Sequence, residues 1–266
     1  MAEPIPGSEL TEPKAQGGTE TKLTQELKAI AEANSKATTD GHLDDMEIHQ
    51  PGAEMSNKEK LAMRNLFEKY PEDQQEVLVQ IGEGESAVEV RLCGEGNNEQ
   101  LTEAAEIALS QLERTFGRPL NEIFPGLKIY FADDIIDGGG LALAEENAII
   151  LDTVKQSLTL EETEKKLVED EILHPGDWSS LGESPSTLGA QITIVHEVGH
   201  ILDEKVNGNQ QSVAFQGLNQ AESPTLYGSF AAHEDYAESF TYLVIGQDLD
   251  EKRRQIIQSD ITLAAS

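Results

Sequence analysis

Apolar and polar residues fall into a regular pattern only after about residue 55. Ser56 and Glu59 form a capping-box pair, and Met63, Leu66, Phe67 and Tyr70 then recur at helical spacing until Pro71 stops the run. Residues 77–81 and 87–92 read as strands around a glycine turn at 82–84. In the second strand Val88, Val90 and Leu92 alternate with Glu89 and Arg91. Leu101, Ala105, Ala108, Leu109, Leu112 and Phe116 make one stripe of a longer helix, closed by Gly117 and Pro119. A short buried strand follows at 127–132, and another at 141–152, broken around 145–147. Helical character returns at 161–173, and a loop rich in Gly, Ser and Pro spans 175–186. A long helix is then predicted from about 186 to 206, ending at Asn207 and Gly208. Leu188, Ile192, Ile194, Val195, Val198, Ile201 and Leu202 lie nearly all round it, which predicts a central, buried helix. Further helices are predicted at about 229–245 and after Asp248. The pattern predicts an α+β fold with a small mixed sheet, and no internal repeat is visible.

Composition divides the chain. Residues 1–55 carry 11 acidic and 4 basic residues and no Phe, Trp or Tyr. Such a segment buries too little apolar surface to offset its ordering entropy, so a disordered acidic tail is expected there. Residues 56–97 are expected to form a helix and β-hairpin packed on a main domain at 98–266. The 266 residues hold 50 acidic against 19 basic side chains, a formal charge of −31. A nucleic-acid partner is excluded, because phosphates would be repelled and no basic stripe offsets that. No run approaches the roughly 18 apolar residues of a membrane helix. Cys93 is the only cysteine, so no internal disulfide framework exists. The first residues show neither a basic nor an apolar leader region, so a cytoplasmic location or export without a cleaved signal is expected.

The central helix carries His196-Glu197-Val198-Gly199-His200. Histidines at i and i+4 project from one face, where both imidazoles can reach one Zn2+ ion at roughly 2.0–2.1 Å. Glu197 sits beside them and can act as base toward a metal-activated water. Chance matches to this short motif are common. Here, however, a buried helix face holding two histidines and a glutamate would be unfavourable without a partner such as a metal. A third protein ligand is needed. The longer metzincin pattern would put Gly at 203 and His at 206, and Asp203 and Val206 stand there. Glu234, 34 residues after His200 on a separate predicted helix, is the favoured ligand, and His233 is the competing candidate. Glu238, one turn on, is placed to accept from a ligand imidazole's other nitrogen. Tyr227, two turns before Glu234, could donate to a developing oxyanion.

These segments resemble the catalytic domain of anthrax lethal factor and its relatives, the Pro-Pro endopeptidases. In those zincins an HExxH helix is completed by the first Glu of an E-x-x-A-E segment, here Glu234-Asp235-Tyr236-Ala237-Glu238, with a tyrosine seven residues ahead. The same E-x-x-A pattern is also similar to the ImmA/IrrE-type metallopeptidases, although Glu238 and Ser239 depart from that family's continuation. The resemblance implies a zincin-like fold of gluzincin type and one Zn2+ per chain. It implies His196, His200 and Glu234 as ligands, Glu197 as base, Tyr227 as oxyanion donor and Glu238 behind the ligands. It also implies an edge strand that pairs with extended substrate. Residues 141–152 are the candidate, with Leu141, Leu143, Ala144, Asn147 and Trp178 as substrate contacts. Gly138 to Gly140 read as a flexible loop, one that could let a substrate backbone approach closely.

The expected activity is zinc-dependent cleavage of peptide bonds, acting on protein or peptide substrates and favouring basic ones, by a monomer. The competing reading is a binding or regulatory protein that keeps the scaffold without catalysis. Asp133, Asp134 and Asp137 lack the spacing of a calcium loop and read as solvated turn residues. His42, His49 and His174 have no ligand spacing.

Overall fold

The computed structural model describes residues 57–94, 98–136, 139–156, 165, 185–208 and 213–266. The acidic tail and, apart from residue 165, the helix expected at 161–173 lie outside these, as do most of the 175–186 loop and Trp178, His42, His49, His174, Asp137 and Gly138.

Period-two patterning builds the sheet. Strands β1 (Gln75–Ile81), β2 (Val88–Cys93), β3 (Lys128–Ala132), β4 (Gly140–Leu143) and β5 (Ala148–Asp152) form one five-stranded mixed sheet in the order β1-β2-β3-β5-β4. The β2–β3 and β3–β5 pairs are parallel, and the outer pairs, β1–β2 and β4–β5, are antiparallel. The hairpin at 75–93 thus continues the sheet of the main domain and shares its core. Because successive side chains alternate faces, Val88, Val90, Leu92, Ile129, Phe131, Ile149 and Leu151 join the larger core. Tyr130, Ala132, Ala148 and Ile150 join a smaller one on the opposite face.

Helix α1 (Asn57–Lys69) covers the smaller core with Ala62 and Leu66. The larger core is filled by α2 (Asn98–Phe116) and α3 (Pro185–Asn207), backed by α4 (Ala232–Val244) and α5 (Glu251–Ala264). Gly117 (φ 67°) and Gly208 (φ 62°) follow α2 and α3 in the left-handed conformation that ends helices. As its all-round apolar pattern predicts, α3 is buried along most of its length, with Ile194, Val195, Val198 and Leu202 fully enclosed. No described helix is long and apolar enough to cross a membrane.

Two expectations are corrected. The segment 141–152 is a hairpin, not one broken strand. A short 3-10 turn at Ala144–Glu146 and Asn147 in the left-handed region (φ 51°, ψ 47°) reverse the chain. The Asn147 amide donates to the Pro125 carbonyl at 2.6 Å, which anchors a conformation that asparagine tolerates better than most residues. Consequently β5 is buried at every position, and of these two strands β4 is the one at a sheet edge. The helix expected from 229 starts instead at Ala232. Ala231 is extended (φ −155°, ψ 152°), and Tyr227–Phe230 is a separate 3-10 turn.

Candidate metal centre

The site is assembled where α3 packs on α4. A Cβ built on Gly199 would lie 3.1 Å from Ala237 Cα and 3.1 Å from Phe240 Cδ1, so this glycine permits the close approach of the two helices. Across that contact the imidazoles of His196 and His200 meet the carboxylate of Glu234, in the first turn of α4.

Three ligand atoms converge. His196 Nε2 is 3.1 Å from His200 Nε2, and Glu234 Oε2 is 3.2 Å from the first and 3.4 Å from the second. Donors bound tetrahedrally at roughly 2.0–2.1 Å stand about 3.3 Å apart, so this triangle has the size of a metal face. Among the described residues no other group of three His, Cys, Asp or Glu side chains converges in this way. Glu238 Oε1 accepts from His196 Nδ1 at 2.8 Å, which orients the ring so that Nε2, the nitrogen that would bind a metal, faces the other two ligand atoms. His233 does not join the triangle; its Nε2 lies 3.3 Å from the other oxygen of Glu234, Oε1.

Tyr227 reaches the same carboxylate although the helix leading to it is interrupted. Its hydroxyl donates to Glu234 Oε1 at 3.0 Å, and its ring lies 5.7 Å from that of His196. Gly228 makes this possible. A Cβ there would sit 2.0 Å from Ser223 Oγ and 3.2 Å from Asp235 Cα, so the 3-10 turn can pack directly on α4.

Burial and charge set the protonation states. Burial pushes the Glu197 carboxyl above its ordinary value, opposed by the two nearby imidazoles and a backbone hydrogen bond from Ala142. Burial also pushes Tyr227 up, assisted by Glu234, so its phenol stays a proton donor at neutral pH. For Glu234 burial acts upward, but the His200 charge and hydrogen bonds from His196, His200 and His233 hold it well below the usual carboxylate range. His196 is drawn down by burial, yet its bonds to Glu234 and Glu238 outweigh that and raise it well above its ordinary value.

The candidate substrate contacts are scattered. Leu141 and Ala142 are half-buried on β4, whereas Leu143 is buried and joins the smaller core. Ala144 and Asn147 belong to the hairpin turn. Gly140 is closely approached by a side chain of the protein itself, Glu197: a Cβ at 140 would lie 2.3 Å from Glu197 Oε1.

Sequence reasoning missed one supporting pair. Arg253 of α5 is 1% exposed and grips Asp235, which is fully buried, with Nη2–Oδ2 at 2.6 Å and Nε–Oδ1 at 2.9 Å. It also donates to Asp250 and to the Asn219 carbonyl. Asp235 follows Glu234 directly, and Ala231 at the N-cap makes no side-chain capping bond, so Arg253 anchors the turn that carries the ligand. Nothing in the local pattern around Arg253 marks it as buried. Asp134 is exposed, as expected of a solvated turn residue, whereas Asp133 is half-buried with its Oδ1 enclosed; Lys69 donates to the Asp133 carbonyl at 2.9 Å.

Compared with protein-family models, with curated proteins and with solved structures, the chain finds no match in any of the three.

Proposed function

We propose that this chain is a zinc-dependent endopeptidase of the gluzincin type, related in its site to the lethal factor and Pro-Pro endopeptidase group. The observation that carries the reading is the triangle of His196, His200 and Glu234 donors at 3.1–3.4 Å, with Glu197 buried beside it. Two imidazole nitrogens and one carboxylate oxygen are the donor set of a catalytic zinc site with an open position. When bound there, zinc would supply Lewis acidity toward a carbonyl oxygen and lower the pKa of a water in that position.

The chain's own groups supply the rest. Glu197, desolvated and therefore more basic than an exposed glutamate, takes the proton of the attacking water and delivers it to the leaving amine. Tyr227, held as a neutral phenol, turns from Glu234 toward the oxyanion that develops on the scissile carbonyl. β4 lies at a sheet edge, where an extended peptide can add as a strand. That strand lies beside Glu197, which receives a hydrogen bond from the Ala142 backbone.

The deciding experiment measures zinc content by elemental analysis and profiles cleavage of a proteome-derived peptide mixture. One zinc per chain with defined cleavage sites supports the proposal. Zinc without cleavage would assign the chain to the non-catalytic binding class, and no zinc at all would remove both readings.

Two outcomes follow from charge and shape. Lys- and Arg-flanked peptides are expected to be cleaved faster than acidic ones at low salt, because a chain of charge −31 steers cations inward and salt screens that field. A comparison of kcat/KM at low and high ionic strength checks this, and a flat response would refute it. Gly140→Ala is expected to displace the Glu197 carboxylate and lower kcat about 100-fold, as misplacing a reacting group by about 1 Å does. Zinc content should be unchanged, and a variant with wild-type kcat would show that the contact has no role.

A further inference from the structure

Glu234 uses its two oxygens differently. Oε2 faces both ligand imidazoles, at 3.2 and 3.4 Å. Oε1 points away from them and has two other neighbours, the Tyr227 hydroxyl at 3.0 Å and His233 Nε2 at 3.3 Å. The His233 ring also packs against His200, with centroids 5.7 Å apart at 45°. Its side chain is 36% exposed, whereas that of Glu234 is only 15% exposed. His233 therefore reaches in from the rim to a largely buried carboxylate.

We infer that His233 is a positioning residue that holds the outer oxygen of Glu234 while Tyr227 leaves it during turnover. The inference rests on the proposed function. In that reaction Tyr227 cannot donate to Glu234 and to the substrate oxyanion at once. When the phenol turns away, Oε1 would lose its nearest donor inside a poorly solvated pocket, and an unpaired buried acceptor is destabilising. The His233 imidazole can donate through Nε2–H, so Oε1 stays bonded and Oε2 keeps its direction. Partners of this kind, bonded to a metal ligand from outside, typically alter metal affinity 10–100-fold when removed. The acceptor at Oε1 has two donors, so the two should back each other up.

The test is competition for zinc between a chelator and the full chain, with kcat and KM measured in parallel. His233→Ala is expected to weaken zinc binding about ten-fold and to lower kcat with KM nearly constant. His233→Gln, whose amide N–H can also reach Oε1, should recover most of both. Tyr227→Phe should lower kcat with a smaller effect on zinc. The double variant should lose more zinc affinity than the product of the single losses, because Oε1 then has neither donor. The inference is overturned if His233→Ala binds zinc as the wild type does, if the double variant matches Tyr227→Phe, or if Gln rescues nothing. A wild-type chain that takes up no zinc overturns the proposed function itself and this inference with it.

Discussion

Replacing Glu197 with Gln is expected to leave one zinc per chain and to lower kcat by about 10³–10⁴-fold, the upper part of the range for loss of a positioned base. Glutamine keeps the size of the side chain and can still accept from the Ala142 backbone, so the local packing should survive. It cannot accept the proton of an attacking water. The carboxylate is 6% exposed and its pKa is raised by burial, so the native base holds a proton more readily than an exposed glutamate does. The ligands do not include Glu197, and metal content should therefore separate cleanly from activity. Elemental analysis and single-turnover cleavage on the same preparation read the two quantities. A purified Glu197→Gln chain that keeps a tenth of wild-type turnover would remove the base assignment. If the chain only binds partners, both forms are equally inactive on peptides.

Arg253→Met is expected to destabilise the fold by about 3–5 kcal/mol, the range for breaking a buried ion pair by removing one partner. The guanidinium is the only cation bonded to the fully buried Asp235 carboxylate among the described contacts, and Met would leave that charge uncompensated. At about 2–4 °C per kcal/mol for a domain of this size, the melting temperature should fall by roughly 6–20 °C. Zinc binding should weaken in the same variant, since Asp235 adjoins Glu234 and the Asn219 carbonyl loses its donor as well. Adding Asp235→Asn should recover part of the loss, because the stranded charge is then removed. A melt of Arg253→Met within a degree or two of wild type would contradict the anchoring role.

The elements follow closely from local pattern. Period-two alternation in residues 87–92 becomes β2, the short buried run at 127–132 becomes β3, and the all-round apolar run before Gly208 becomes the enclosed α3. These succeed because a strand or helix is registered by its own side chains over a few residues. The stretch 141–152 fails for the opposite reason. Whether a broken strand runs on or folds back depends on Asn147 reaching the Pro125 carbonyl, 22 residues away in sequence. The break at Ala231 is likewise decided by packing, since Gly228 must fit against Ser223 and Asp235.

For the site, spacing alone puts the two histidines on one helix face, since four residues make about one helical turn, with Glu197 beside them. The choice between His233 and Glu234 cannot be made locally, because neighbouring residues on a helix point about 100° apart and either can face α3. Contact between α3 and α4 through Gly199 selects Glu234 Oε2 and leaves His233 on the outer oxygen. Gly140 against Glu197, and Arg253 against Asp235, are pairings between distant segments with no local periodicity to announce them. The residue types and their order along the chain carry the chemistry that is available. Which atoms share one small volume is set by helix and sheet packing, and so by contacts that a one-dimensional pattern does not contain.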